Sequence, residues 1–286
     1  MDLALSLDLA DFQRGSKVSG SRFFYLKGAG ALLELAILRF AMDTLYGRGF
    51  TPMVVPELVR EQAMMGTGYF PLGRDDAYAL EKDELFLVGT SEVSLVSFHT
   101  DEIIPLEELP KRYAGISSCF RREAGAAGKD TRGFYRVHQF HKVEQVVICA
   151  NEEELVRAEH EALVTNVEFL LQALGLPYRV ALACTGEMGM GQVRKHEIET
   201  WMPSRGAYSE THSASTLGEF QSRRLNIRYR NAEGQMRFCA TLNNTAVASP
   251  RILIPLLETY QQADGSVKIP EVLHPYLPGI TELRPK

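Results

Sequence analysis

The residues best placed to do chemistry fall in one stretch, 119–149, CFRREAGAAGKDTRGFYRVHQFHKVEQVVIC. Arg121, Arg122 and Glu123 follow an apolar aromatic segment. Arg136 and Glu144 lie in an alternating run beyond a loop of small and charged residues, 124–133. Strand, polar loop, strand is the pattern of a β-hairpin. Guanidinium and carboxylate groups inside strands that must pack either line a polar site or cover a solvated face. On spacing alone the solvated face is the ordinary reading. If the site exists, its arginines suit negative charge building on oxygen.

The elements that must position these groups can be read from periodicity. Residues 31–46 carry Leu32, Leu35, Ala36, Leu38, Met42 and Leu45 at helical spacing, and Gly47 and Gly49 close the run. Residues 50–55 read as a strand ending at Pro56, residues 57–80 as loop-rich, and residues 84–89 as a buried strand leading into Gly89-Thr90-Ser91-Glu92. Residues 93–99 are a helical candidate, and residues 135–149 read as one long strand. Residues 151–174 form the clearest helix, with Asn151 as N-cap, glutamates in its first turn and a stripe from Leu155 to Leu174. Residues 178–184 and 196–202 read as strands. Between them TGEMGMG, 185–191, lacks the Gly-x-Gly-x-x-Gly spacing and is taken as a structural loop. A helical turn is expected at 218–224, and a hairpin from 225–230 and 235–242 about Asn231-Ala232-Glu233-Gly234. A helix is expected at 250–262 with Pro250 near its first position, followed by an extended tail. Residues 1–22 read as a lead-in and 23–286 as one domain. Strands joined by hairpins outnumber crossovers, so the fold class is α+β, a mostly antiparallel sheet flanked by helices.

Composition narrows the function. Of 286 residues, 45% are hydrophobic and 23% charged, enough for a large core. The net charge of −5 argues against a protein that binds chiefly by blanketing phosphates, though not against a local basic patch. Cys119, Cys149, Cys184 and Cys239 are far apart, with no Cys-x-x-Cys pair, so neither a disulfide framework nor a cysteine zinc cage is expected. The acidic first residues do not read as a signal peptide, and no apolar run is long enough to span a bilayer. A cytoplasmic protein with reduced thiols is the simplest account.

Phe120-Arg121-Arg122-Glu123 resembles motif 2 of the class II aminoacyl-tRNA synthetases, and FRREAGAAGKDTRGFYRVHQFHKVE is similar to that of the seryl-tRNA synthetases. Other stretches agree in family order. Residues 49–56 are similar to motif 1, the dimer-interface element, and Thr90-Ser91-Glu92 resembles the Thr-x-Glu serine motif. Residues 208–213, Tyr-Ser-Glu-Thr-His-Ser, resemble the Glu-x-x-Ser segment, and residues 241–251 resemble motif 3. The resemblance runs from about residue 11 to 276 and implies the class II catalytic fold, activation of L-serine by ATP to seryl-adenylate, and transfer to tRNA(Ser).

The same resemblance implies roles for single residues. Arg121 and Arg251 are the catalytic arginines, the first on the α-phosphate and the serine carboxylate, the second on the γ end of a bent ATP. The ATP-binding set is Arg121, Arg122, Glu123 at the adenine amino group, Val137 by its backbone, Phe140 stacked on the base, Glu210, Thr211, His212, Ser213 and Arg251. Glu210 and Ser213 are the expected Mg²⁺ ligands. The serine-binding set is Thr90, Ser91 and Glu92 near the amino group, Arg121, Glu144, and Thr245 at the hydroxyl. No zinc is expected, because His138 and His141, three apart on a strand, point to opposite faces. Singly, each residue has a plainer reading. Arg121 and Glu123 read as a surface ion pair, Phe140 as core, Glu210 and Ser213 as a helix cap, Arg251 as a solvated first-turn residue, and Thr90 and Thr245 as strand-end hydroxyls. Their joint occurrence in order favours the site.

The family also carries a coiled-coil arm that grips tRNA(Ser), and no heptad run of that length occurs in this chain. A homodimer is implied by motif 1. Two further readings stand beside the synthetase: an arm-less paralogue that loads an amino acid onto a carrier protein, and a catalytically inactive synthetase-like regulator.

Overall fold

The computed structural model describes residues 1–285 apart from 126, 127, 129 and 131. In chain order the principal strands are β1 (Thr51–Val54), β2 (Ile103–Ile104), β3 (Lys111–Phe120), β4 (Gln139–Cys149), β5 (Tyr178–Leu182), β6 (Arg194–Met202), β7 (Ala207–Gly218), β8 (Arg228–Arg230), β9 (Met236–Phe238) and β10 (Ala240–Ser249). The principal helices are α1 (Ala29–Gly47), α2 (Glu92–Ser97), α3 (Glu153–Ala173), α4 (Phe220–Leu225) and α5 (Leu253–Thr259). Seven strands form the central sheet in the order β5-β6-β7-β10-β4-β3-β1. Neighbours are antiparallel except β1 and β3, which are parallel. A smaller sheet has the order β9-β8-β2. The α+β, mostly antiparallel architecture is the one expected.

The back of the central sheet is closed by α1 and α3. Leu33 and Ile37 of α1 and Leu163, Val167 and Leu171 of α3 pack with Val143, Val147 and Leu242 of the sheet, all buried. Each such side chain contributes about 1.5–3 kcal/mol by leaving water. The front is divided. Val146 and Ile148 of β4 are covered by Leu95 and Val96 of α2 and by Ile227 and Tyr229 at β8. Farther toward the start of β4 the cover ends and a cavity opens.

Several elements depart from the sequence reading. The strand expected at 135–149 begins only at Gln139, because the backbone before it is drawn off the ladder: Tyr135 O accepts from Arg251 and His138 N donates to Arg22 O. Asn151 does not cap α3. Its backbone N donates to the Tyr229 hydroxyl and its Nδ2 to Glu219, and the helix starts at Glu153 with no side-chain cap. The strand expected at 235–242 breaks at Cys239, so β9 and β10 belong to different sheets. Pro250 and Arg251 precede the last helix, which starts at Leu253. The loop-rich segment 57–80 holds the helix Glu61–Gly66 and two short strands, Leu58–Arg60 and Tyr78–Leu80, that flank Leu85–Leu87 in a small sheet. The tail contains a 3₁₀ segment, Glu271–Tyr276, and a paired strand, Val267–Lys268 with Glu282–Leu283. At the start of the chain Leu7 and Leu9 are buried in the main core.

One irregularity bears on the site. Thr245 pairs with Glu144, and the next pair is Val247 with Val143, so Ala246 is an extra residue in β10. This β-bulge keeps Thr245 facing the front while returning Val247 to the core.

Candidate active site

A cavity of about 610 Å³ opens on the front of the sheet, across β4, β7 and β10. Alternation along β4 supplies its floor: Phe140, Lys142 and Glu144 face front while Val143 faces the core. Thr245, directly across from Glu144, donates its hydroxyl to Glu144 Oε2 at 3.2 Å. Lys142 Nζ lies 2.5 Å from the same oxygen and donates to Thr90 Oγ1 at 2.6 Å. Lys142 and Glu144 are only 5% and 2% exposed, so this is a buried ion pair with both charges hydrogen-bonded.

The turn before α2 brings in the next carboxylate. Ser91 Oγ donates to Gly115 O at 3.2 Å, and Gly115 is where α2 crosses β3 most closely. A Cβ there would lie 2.7 Å from Leu95 Cδ1 and 3.0 Å from Ser91 Oγ, so a larger residue would have to displace the Leu95 side chain. The next residue, Glu92, is then held at the cavity wall, where Oε1 accepts from Gln221 Nε2 at 2.7 Å and Asn243 Nδ2 at 2.8 Å. Burial, then the charge of Glu144, pushes the Glu92 carboxyl up to about 7 against those hydrogen bonds. Burial also raises the Tyr69 phenol beside this group.

At the middle of the cavity Arg121 points Nε and Nη2 at Gly89 O, 3.3 Å each, with its guanidinium 5.3 Å from the Phe140 ring centre. Glu123 adopts a left-handed backbone (φ 54°) and pairs with Arg136 at 2.5 Å, not with Arg121. At the far end Arg251 donates Nε to Tyr135 O and Nη1 to Glu210 O, 3.1 Å each, and stacks 4.6 Å over the Tyr135 ring. Burial lowers its pKa below the ordinary arginine value. Glu210 to Ser213 lie within β7, not at a helix start, and all four line the cavity. Burial, then the charge of Arg251, holds His212 neutral with its pKa down at about 3.

The structure thus brings together Thr90, Glu92, Arg121, Glu123, Val137, Phe140, Glu144, Glu210, Thr211, His212, Ser213, Thr245 and Arg251 on one cavity. Two expected residues lie off its lining. Ser91 is wholly buried against Gly115, and Arg122 turns away to lie 5.5 Å over the Tyr78 ring. The loop 124–133 lies partly outside the described residues. Sequence reasoning missed Lys142, Asn243, Gln221 and Tyr69. It also set aside the loop 185–191, of which Glu187, Gly189, Met190 and Gly191 reach the cavity. Lys142 was findable: it stands two residues before Glu144, on the same strand face. His138 Nδ1 meets Arg121 O while His141 pairs with Glu34, so the two histidines have separate partners.

The arrangement has two chemical ends. One is a compact cluster of carboxylates, hydroxyls and a lysine, fitted to a small amine bearing a hydroxyl. Arg121 with the Phe140 ring at the middle and Arg251 at the other end suit an anion joined to a flat ring. Among the described residues no three His, Cys, Asp or Glu groups gather as a metal cage. Glu210 and Ser213 offer two oxygen donors, which suits a hard cation that takes its remaining ligands from bound phosphates and water.

Comparison with known proteins places the chain in a family. The family model for the tRNA synthetase class II core domain (G, H, P, S and T) matches residues 78–260. A serine--tRNA ligase of Deinococcus radiodurans is 53% identical over 94% of this chain and 64% of its own length. One from Dictyoglomus thermophilum is 46% identical over 100% of this chain and 67% of its own. The chain therefore spans about two thirds of these relatives. The crystal structure of seryl-tRNA synthetase from Pyrococcus horikoshii complexed with ATP superposes with a TM-score of 0.96 at 45% identity, covering 100% of this chain and 63% of that one. The cytoplasmic serine-tRNA ligase of Naegleria fowleri in complex with AMP gives 0.94 at 33% identity, covering 100% and 67%. On the fold, the cavity and these matches together, the chain belongs to the class II tRNA synthetase core family, in its seryl-tRNA synthetase branch.

Proposed function

We propose that the cavity activates L-serine with ATP and passes the seryl group to tRNA(Ser). The observation that carries this reading is the Thr90–Lys142–Glu144–Thr245 network at one end of a cavity whose other end holds Arg251, with Arg121 between them. A serine carboxylate oxygen attacks the α-phosphorus of ATP, the bond from that phosphorus to the bridging oxygen breaks, and pyrophosphate leaves. Arg121 stabilises the charge on the α-phosphate, and Arg251 holds the far phosphates. Phe140 stacks on the base, with Glu123 and the Val137 backbone at its edge. Glu92 and Thr90 take the serine ammonium, and Glu144 and Thr245 take its hydroxyl. A site with several groups aimed at one hydroxyl rejects alanine, since those groups would be left unpaired. Glu210 and Ser213 would hold Mg²⁺, which when bound neutralises phosphate charge.

A homodimer through the segment of β1 and a cytoplasmic location complete the reading, which relatives named serine--tRNA ligase support over the carrier-loading and regulator alternatives. No described helix is long and apolar enough to cross a membrane. The test is amino-acid-dependent ATP–pyrophosphate exchange. Serine is expected to drive exchange, and alanine, threonine and glycine are not. A folded chain without exchange would point to a regulator. Exchange with seryl transfer to a carrier protein but not to tRNA(Ser) would point to the paralogue.

A further inference from the structure

Thr241, Asn243 and Thr245 alternate along β10 on its front face, while Leu242 and Asn244 face α3 on the back. Each front side chain has its own partner. Thr245 donates to Glu144, Asn243 Nδ2 donates to Glu92 Oε1 at 2.8 Å, and Thr241 Oγ1 donates to Gln221 Oε1 at 2.7 Å. Gln221, the second residue of α4, reaches Glu92 in turn. Its Nε2 donates to Glu92 Oε1 at 2.7 Å and to Thr67 O at 3.1 Å. Gln221 and Thr241 are both buried, and neither lines the cavity.

The chemistry of these groups fixes the orientation of the amide. A primary amide has two N–H donors and one carbonyl acceptor. Thr67 O and an ionised Glu92 can only accept, so both take Nε2, and Oε1 is left to the Thr241 hydroxyl. Half a turn of the amide would set its oxygen against a carbonyl and a carboxylate. The packing of α4 keeps Gln221 at this point. A Cβ on Gly68 or Gly191 would lie 2.5 or 2.3 Å from the Phe220 ring, and one on Gly66 would lie 2.2 Å from Leu225 Cδ2.

Both amide donors to Glu92 fall on the same oxygen, Oε1. Oε2 makes no hydrogen bond or ion pair among the described residues, and Glu92 is only half-buried at the cavity wall. One oxygen is thus committed to the protein and the other is open to a cation, to which it can offer a charge-assisted hydrogen bond. The charged and titratable groups facing Glu92 are Glu144 and Lys142 of β4 and the Tyr69 phenol. Glu144 opposes ionisation of Glu92, whereas Lys142 and the two amide donors favour it.

We propose that Gln221 is the positioning residue of the ammonium subsite: oriented by Thr241, it holds Glu92 by one oxygen and leaves the other to the substrate ammonium. The inference rests on the proposed serine activation for the identity of that substrate.

The test is the pH profile of the serine KM in pyrophosphate exchange. Gln221→Leu removes a hydrogen bond that favours the charged carboxylate and is expected to move the Glu92 midpoint up by about one pH unit. The serine KM should then rise by about tenfold at pH 6 and about fivefold at pH 7, with little rise at pH 9 and an unmoved ATP KM. Thr241→Val keeps the side-chain shape, so it serves even if Gln221→Leu does not fold. It leaves Gln221 Oε1 unpaired and is expected to raise the serine KM by about threefold, whereas Thr241→Ser, which keeps the hydroxyl, should stay near wild type. A serine KM unmoved at pH 6 in Gln221→Leu, an ATP KM that rises by the same factor, or equal effects of Thr241→Val and Thr241→Ser would overturn the assignment. Titration of the Glu92 carboxyl by ¹³C NMR in the unliganded chain reads the same contact without substrate. A wild-type chain that lacks exchange, in which Gln221→Leu still moves that titration upward, would sink the proposed function and support the hold of Gln221 on Glu92.

Discussion

The two faces of the central sheet carry buried polar networks one residue apart in sequence. On the front, Lys142, Glu144, Asn243 and Thr245 meet Thr90 and Glu92 at the cavity. On the back, Gln145 accepts from Asn166 at 2.7 Å, and Gln145 and Asn244 both donate to Leu163 O of α3. Arg48 closes the back network by donating to Asn166 at 2.8 Å. The back is mostly neutral amides, sealed under a helix. The front holds buried charge and opens to a cavity. Paired amides fix a helix to a sheet with little desolvation penalty. A buried lysine and two carboxylates are a poor way to gain stability, and their presence where a ligand can enter is consistent with their proposed role in serine recognition.

Substitutions can break that contrast or sharpen it. The largest effect is expected at Lys142, which pairs with Glu144 and donates to Thr90 in the proposed serine site. Lys142→Met leaves Glu144 as an unpaired buried charge and is expected to lower unfolding free energy by about 3–5 kcal/mol. Adding Glu144→Gln should recover most of that in denaturant titrations while exchange with serine stays lost. Recovery of exchange would mean that the front network is structural after all. Arg121→Ala is expected to cut pyrophosphate exchange by about 10²–10³-fold with an unchanged denaturation midpoint, because in the proposed mechanism the charge it removes acts on the reacting phosphate. A variant with wild-type rate would remove Arg121 from the mechanism. Asn166→Leu tests the back face in the opposite sense. It leaves Gln145 Oε1 without its donor and is expected to destabilise by about 1–3 kcal/mol while the serine KM is unmoved.

The smallest effect is a pH dependence. With its carboxyl raised to about 7, Glu92 is mostly neutral in the empty cavity below that pH. A substrate ammonium favours the carboxylate, so serine binding expels a proton and strengthens as pH rises, levelling off above about 7. Between about pH 6 and 8 the serine KM is expected to fall by about tenfold, following the ionised fraction. For the same reason the unliganded fold loses stability as pH rises from the ordinary carboxylate value of 4.5 through about 7. Glu92→Gln should flatten both profiles. A serine KM independent of pH in the wild type would place the ammonium elsewhere.

Sequence reasoning reached much of this because strand alternation and motif order are local signals. Glu144 and Thr245 were legible as site residues on separate strands, and the register that joins them was not. Lys142 obeys the same alternation, two residues before Glu144 on one strand face. Gln221 and Tyr69 were out of reach, since each arrives from a loop or short helix whose placement depends on packing. For Gly191 that packing is against Phe220, whose ring would lie 2.3 Å from an added Cβ. Asn151 had the residue type of a helix cap, but tertiary hydrogen bonds to Tyr229 and Glu219 claimed it first.

The extra residue at Ala246 sets a phase offset between the two halves of the cavity. Up to Thr245, β10 keeps step with Glu144; from Val247 onward it runs one count late. The neighbouring strand β7 has its own slip, with Thr211 falling between the pairs of Glu210 and His212. The amino-acid end and the phosphate end are therefore mounted on rulers with different origins. Deleting Ala246 would let Val247 follow Thr245 directly, still opposite Val143 on the core face with Ala248 still opposite Lys142, so facing would be kept while the extra backbone unit between the two ends of the cavity is lost.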